Sequence, residues 1–315
     1  MTSADHTATH LTGVIPPVVT PLNEDRTLDV AGLEAVLTRM LDAGVHGVFA
    51  LGSTGETAFH PMSVREQILR ETVRVVDGRV PVLAGVVAPQ TAETIERIDQ
   101  AQELGADGVV ATAPFYAITA RPQIQRHFEL LGEHASVPVY AYDIPVCVHT
   151  KLAPDMLVDL GTSGAIAGVK DSSGDDVTFR RLVAMNRAAG SPLSLLTGHE
   201  VVVDGAYLSG ADGSVPGLAN VDPEGYVRLD AACRGGRWDE ARQEQDRLAA
   251  LMDIAFGVKG QSGWGAGVGA FKAALQLLGV TASRQVPQPF DALDEQDVAA
   301  VEAVLGRAGL LPRDR

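Results

Sequence analysis

The chain has 315 residues, of which 46% are hydrophobic and 21% charged, which is ordinary globular usage. Its 25 Lys and Arg stand against 40 Asp and Glu, a net charge of −15, which disfavours nucleic acid and anionic membrane surfaces as partners. Two cysteines, Cys147 and Cys233, cannot form a disulfide framework, so a reducing, cytoplasmic setting is expected, and no stretch reaches the ~20 apolar residues of a membrane span.

Residues 1–12 are polar, lack the basic and apolar regions of a signal peptide, and are expected to form a flexible tail. Beyond them, short β-branched runs alternate with helical patterns. The predicted strands are 14–19, 47–51, 80–87, 108–112, 138–142, 165–170, 193–197 and 213–215. Between them, Asp29 caps a helix running to residue 42, with Gly44 as its stop. Ser63 and Glu66 form a capping box for a helix reaching about residue 77. Thr91 opens another that ends at Gly105, Pro122 opens the next, and Asp175 or Asp176 opens the one after Lys170. His127 and His134, seven apart on a helix, read as a solvated face, and no His or Cys stands at metal-ligand spacing, so no metal is expected. After residue 221 the β pattern stops, and 223–234, 238–256, 266–278 and 294–308 read as helices.

The strands are continuous apolar runs, the sign of a parallel sheet covered by helices. Eight such repeats predict an α/β fold, an eight-stranded (β/α)8 TIM barrel with a helical C-terminal extension. The expected division is a tail over 1–12, a catalytic barrel over 13–221 and a helical region over 222–315. An open doubly wound sheet is the alternative, but no G-x-G-x-x-G follows the first strand.

In such barrels the chemistry lies at the C-terminal ends of the strands. Only four residues are lysine, and of these only Lys170 ends an apolar strand, where Lys151, Lys259 and Lys272 do not. Desolvation at a barrel mouth favours a neutral amine, which condenses with a ketone to a Schiff base. The alternative is a solvated lysine paired with Asp171. Tyr142 ends the neighbouring strand and is read either as a proton-transfer phenol or as a core tyrosine. Gly52-Ser53-Thr54-Gly55 is either a cradle for a carboxylate or an ordinary turn.

Taken together, Val19-Thr20-Pro21, Gly52-Ser53-Thr54-Gly55-Glu56, Pro114-Phe115-Tyr116, Tyr142-Asp143-Ile144-Pro145, Gly168-Val169-Lys170-Asp171 and Gly210-Ala211-Asp212-Gly213-Ser214 resemble the dihydrodipicolinate synthase / N-acetylneuraminate lyase family of Schiff-base aldolases and lyases. The resemblance covers residues 13 to 278. It implies that Lys170 forms the imine with a 2-oxo acid, commonly pyruvate, that Tyr142 carries protons, and that Ser53 links it to a second tyrosine, Tyr116. That tyrosine would enter the neighbouring subunit's site, in a homodimer or homotetramer. Thr54, with Gly52 and Gly55, would form the carboxylate cradle, and Val215 is counted with the substrate-binding residues.

Two departures stand out. The position where the synthases hold an acceptor carboxylate with arginine is Cys147, and Asp143 replaces an asparagine. Of the lyases' acidic pair, Gly198-His199-Glu200-Val201 keeps one acid. The resulting expectation is a carbon–carbon or carbon–oxygen lyase that needs no cofactor and releases or adds pyruvate. A 2-keto-3-deoxy sugar acid is favoured as its substrate, with Asp143, His149, His199 and Glu200 as hydroxyl partners. The alternatives are 4-hydroxy-tetrahydrodipicolinate synthase, a dehydratase of such an acid, or a non-catalytic pyruvate-binding paralogue.

Overall fold

The computed structural model describes residues 10–261 and 263–311, so residues 1–9 of the expected tail lie outside the described residues. The chain runs β1 (Gly13–Val14), α1 (Val30–Asp42), β2 (Val48–Ala50), α2 (Met62–Val76), β3 (Val82–Gly85), α3 (Thr91–Glu103), β4 (Gly108–Thr112) and α4 (Arg121–His134). It continues through β5 (Val139–Asp143), α5 (Pro145–Val148), α6 (Pro154–Thr162), β6 (Gly168–Asp171), α7 (Asp176–Ala188), β7 (Ser194–Thr197), α8 (Val203–Ser209) and β8 (Gly213–Ser214). The helices α9 (Pro223–Arg234), α10 (Trp238–Leu251), α11 (Asp253–Phe256), α12 (Trp264–Leu277) and α13 (Glu295–Arg307) complete it.

The eight strands pair in parallel in the order β1-β8-β7-β6-β5-β4-β3-β2. A parallel bridge between Pro17 and Phe49 joins the first strand's continuation to β2 and closes the barrel. Asn220 locks this seam: its side chain accepts from the Val19 amide at 3.0 Å and donates to the Pro17 carbonyl at 2.8 Å. Alternate residues of the strands point to opposite faces. Ile15, Phe49, Leu83, Val110, Tyr142 and Leu196 fill the interior, while their neighbours Val14, Val48, Ala84, Val109, Ala141 and Leu195 pack outward against the helices. No helix among the described residues is long and apolar enough to cross a membrane.

Helix starts follow local chemistry. Asp29 accepts from the Gly32 amide at 2.9 Å, and Asp175 from Thr178 at the same distance, as the sequence predicts. The capping box at Ser63 does not form, because Pro61 precedes the first turn of α2 and Ser63 is already helical. Strand one shrinks from the expected 14–19 to two residues, since Pro16 and Pro17 have no amide hydrogen for a ladder. The 238–256 helix divides at Met252, and the short helices α5, α6 and α8 carry no period long enough to read. His127 corrects the solvated-face reading: it is 2% exposed, bonded to Thr91 and to the Thr112 carbonyl. Burial pushes its imidazole down to about 4.

Candidate active site

Parallel pairing sets the centre. Tyr142 of β5 lies opposite Lys170 of β6, and Asp143 opposite Asp171. The inward pair therefore meets inside the barrel and the outward pair behind it. Lys170 is 5% exposed, and its Nζ lies 3.9 Å from the centroid of the Tyr142 ring and 5.0 Å from that of Phe49. Aromatic faces stabilise the ammonium form without neutralising it. The expected alternative pairing with Asp171 does not occur, because Asp171 bonds Lys151 at 3.2 Å from the opposite face.

The Tyr142 hydroxyl donates to Ser53 Oγ at 3.2 Å. Ser53 stands in a turn whose two ends, Leu51 at φ 57° and Glu56 at φ 58°, are both left-handed non-glycine residues. Such conformations persist only where surrounding bonds over-determine them. Here the Thr20 hydroxyl donates to the Gly55 carbonyl at 2.9 Å and the Trp264 indole to the Ser53 carbonyl at 2.9 Å. Lys272 ties Glu56 at 2.6 Å, with both side chains buried. A side chain at Gly52 would meet the Phe49 ring at 2.6 Å, and one at Gly55 the Val18 carbonyl at 2.9 Å, so the turn closes only with glycine at both places.

Thr54 and Glu200 converge across the mouth: Thr54 Oγ1 and Glu200 Oε2 each lie 3.4 Å from the place where Gly217 would carry a Cβ. Glu200 Oε2 accepts from the Leu218 amide at 2.6 Å. Burial pushes its carboxyl up to about 7, while that amide and the charge of Lys170 act in the opposite direction. Val215 contributes its side chain to the interior cluster and its amide to the Thr197 carbonyl at 2.7 Å. Cys147, on α5, is half-buried, and its thiol is raised by burial and pulled back by Lys170.

Four further residues named from the sequence have other surroundings in this chain. Asp143 faces outward and is fully buried; Lys151 holds one carboxylate oxygen and the Leu152 amide the other, at 3.1 Å. Burial raises its carboxyl to about 6 against the pull of Lys151. Odd and even positions of one strand cannot share a face, so a residue next to Tyr142 is turned away from substrate. His149 is exposed at the left-handed end of α5, and His199 faces Asp176 at 3.5 Å. Tyr116 is 98% exposed at φ 71°, outside the site of its own chain.

The sequence reading missed Lys151 as the clamp between Asp143 and Asp171, and Trp264 as the brace on Ser53. Lys151 lies eight residues after Asp143, a spacing without a helical or strand period; Trp264 lies 211 residues from its partner. Beside Ser53 opens a cavity of about 170 Å³, lined by Phe59, Val87, Phe115, Cys147, Val148 and Trp264 among others.

A model described as the dihydrodipicolinate synthetase family matches residues 10–308. An uncharacterized DapA-like lyase of Halobacterium salinarum is 36% identical over 301 residues, 96% of this chain and 95% of that one. The 4-hydroxy-tetrahydrodipicolinate synthase of Methanoculleus marisnigri is 32% identical, over 94% of this chain and 99% of that one. Among solved structures, a prophage protein of E. coli K12 from the dihydrodipicolinic acid synthase family, in complex with pyruvate, superposes with a TM-score of 0.89 at 30% identity. It covers 95% of this chain and 99% of that one.

Proposed function

Since this chain belongs to the dihydrodipicolinate synthetase family, a family of lyases and aldolases, we propose that it makes or breaks a carbon–carbon bond next to an imine of pyruvate on Lys170. The observation that carries this is the Lys170–Tyr142–Ser53 array: a buried lysine, a phenol against it and a hydroxyl accepting from that phenol. In the cleavage direction the Lys170 amine attacks the C2 ketone of a 4-hydroxy-2-oxo acid and water leaves. The protonated imine accepts the electron pair of the breaking C3–C4 bond, while Tyr142 takes the proton of the C4 hydroxyl. An aldehyde departs; the enamine is protonated at C3 and hydrolysed to pyruvate and free lysine. Thr54 is the residue given the substrate carboxylate in this scheme. No metal or organic cofactor takes part in this scheme, and the two free cysteines support a reducing, cytoplasmic setting.

The 2-keto-3-deoxy sugar acid expected from sequence would need hydroxyl partners gathered at the mouth. Of the four named, Glu200 lies beside Thr54, His149 and His199 are solvent-accessible, and Asp143 is turned outward onto Lys151. The Halobacterium and Methanoculleus relatives carry different names, and the resemblance to a synthase enters the proposal only as shared imine chemistry.

The full exposure and left-handed backbone of Tyr116 support its insertion into a second copy's site, hence a homodimer or homotetramer. Mixing Tyr116→Phe with Lys170→Ala subunits tests the whole reading. Each alone is expected to be impaired, and exchange should restore activity through hybrid sites holding both groups. Absence of recovery after verified exchange would remove the shared site. Absence of a borohydride-reduced pyruvate adduct on Lys170 in the unaltered protein would remove the imine.

A further inference from the structure

The turn that carries Ser53 is held largely from outside the barrel. Besides the Tyr142 bond to Ser53 Oγ, three side chains bind residues 53–56: Thr20 at the Gly55 carbonyl, Trp264 at the Ser53 carbonyl and Lys272 at the Glu56 carboxylate. Two of the three belong to α12. Trp264 opens that helix and Lys272 stands eight residues on, a spacing that keeps both on one stripe of its surface. Phe271 of the same helix lies 3.0 Å from the place where Gly217 would carry a Cβ, the point on which Thr54 and Glu200 also converge.

These bonds fix geometry more than they add stability. The Ser53 carbonyl accepts from the Glu56 amide at 3.0 Å and from the Trp264 indole at 2.9 Å, so rotating that peptide would break both. The same backbone aims the Ser53 side chain, whose oxygen accepts from Tyr142. Lys272 and Glu56 are 2% and 3% exposed, and the lysine's second bond goes to the Gln285 carbonyl at 2.9 Å. A buried ion pair adds little over apolar side chains of the same volume, because desolvation offsets the attraction. What it adds here is a demand for one arrangement, with Glu56 in the left-handed conformation. Lys170 is placed differently, by the pairing of β6 with β5 and by the rings of Tyr142 and Phe49, all within the barrel.

From this we infer that Trp264 and Lys272 are positioning residues for proton transfer: through the 53–56 turn they hold Ser53, and so the Tyr142 hydroxyl, against the imine, while imine formation itself depends on the barrel. The inference rests on the imine reading of Lys170 and adds a division of labour to that same site. When the neutral Lys170 amine condenses with pyruvate, water leaves and one proton is taken up; supplied by Tyr142, it leaves a phenolate. The phenolate then takes a proton from C3. The electron pair of that C–H bond forms the C2=C3 bond of the enamine, and the imine nitrogen becomes neutral. In D2O the reverse step returns deuterium to C3, so the pyruvate methyl group exchanges without any aldehyde.

The test uses the full chain and pyruvate alone. Borohydride trapping reads imine formation, and loss of the methyl proton signal in D2O reads proton transfer. Trp264→Phe keeps an aromatic ring and removes the indole donor; exchange should slow by about threefold to tenfold, the weight of one hydrogen bond, with trapping within about twofold of the unaltered protein. Glu56→Leu combined with Lys272→Met replaces the pair by apolar side chains, which keeps the fold and removes the constraint. Exchange should slow by about tenfold or more, since small misplacements near the reacting atoms weigh heavily, and trapping should again be retained. If this double variant fails to fold, Trp264→Phe decides alone. Unchanged exchange in either folded variant overturns the inference. So does an equal loss of trapping and exchange, which would put α12 behind the whole site, or a loss that accompanies dissociation of the assembly, which would assign it to a subunit contact. Trapping without exchange in the unaltered protein also overturns it, because there is then no proton transfer to position. Absence of trapping in the unaltered protein removes the imine reading on which it rests.

Discussion

Two lysines meet the same pair of strands from opposite sides. Lys170 points into the barrel, where its Nζ lies over the faces of Tyr142 and Phe49. Lys151 approaches from outside and binds the carboxylates of Asp143 and Asp171, the next residues along β5 and β6. One ammonium group is surrounded by π electrons and the other by formal charge. The second is committed to its neighbours, whose carboxylates raise its affinity for the proton. A one-residue step along a strand separates the proposed nucleophile from the carboxylates of the clamp. The clamp holds the ends of β5 and β6 together at the level of Tyr142 and Lys170, so the outer lysine positions what the inner one uses.

Exchanging the roles gives the largest expected effect. Lys170→Ala should abolish borohydride trapping of pyruvate, and Lys170→Arg should do the same although it keeps the charge. Lys151→Met should still be labelled at Lys170. Adduct formation on Lys151 in peptide maps of the unaltered protein would collapse the distinction.

Removing the phenol comes next. Tyr142→Phe keeps the ring under Lys170 and loses the proton carrier, so turnover should drop by about 10²–10⁴-fold. Trapping should suffer less, because the aromatic cage remains. Near-normal turnover would leave Tyr142 as a packing residue.

The clamp itself is a matter of stability. Lys151→Met leaves Asp143 and Asp171 buried without a cation. Denaturant titration at pH 8 should show a loss of about 3 kcal/mol, the low end for breaking a buried pair, since Lys151 is 28% exposed. Asp143 is already pushed up to about 6 by burial, so in the variant it should take up a proton as pH falls. The difference from the unaltered protein should therefore shrink between pH 8 and pH 5. A deficit independent of pH would mean that lost packing dominates.

The smallest effect lies away from both lysines. His127, held neutral in the fold down to about 4, binds its proton near 6.5 once unfolded. Its folded value is depressed, so its contribution is present above about 6.5 and lost as pH falls toward 4. His60, lowered to about 4 by burial and by Lys272 and Arg65, acts with the same sign. His127→Leu should lower the melting temperature at pH 7 yet flatten its decline between pH 6.5 and 4. An unchanged slope would assign the acid sensitivity to other groups.

Much of this arrangement was legible in the sequence because it is local. An apolar strand that ends in lysine places that lysine at a barrel mouth, and period two puts Tyr140 and Tyr142 on one face. The same rule, applied one residue further, turns Asp143 away from substrate, which the motif-based reading overlooked. The clamp was not legible, since Lys151 reaches Asp171 across a helix and a strand and no spacing encodes that contact. Nor was the cavity, whose walls come from residues between Ser53 and Trp264. Such a space is defined by what several loops leave empty, and sequence periodicity describes only what they fill.

Trp264 offers a practical consequence. Its indole nitrogen donates to the Ser53 carbonyl at 2.9 Å, and its ring forms a wall of the cavity. The chain has one other tryptophan, Trp238, at the start of α10 and 40% exposed. A Trp238→Phe protein would carry a single tryptophan, selectively excited on the red side of tyrosine absorption and bonded to the hydroxyl-bearing turn of the site. Its emission would report how wet and how occupied that turn is, giving ligand affinities and on-rates in unlabelled protein before any bond is made or broken.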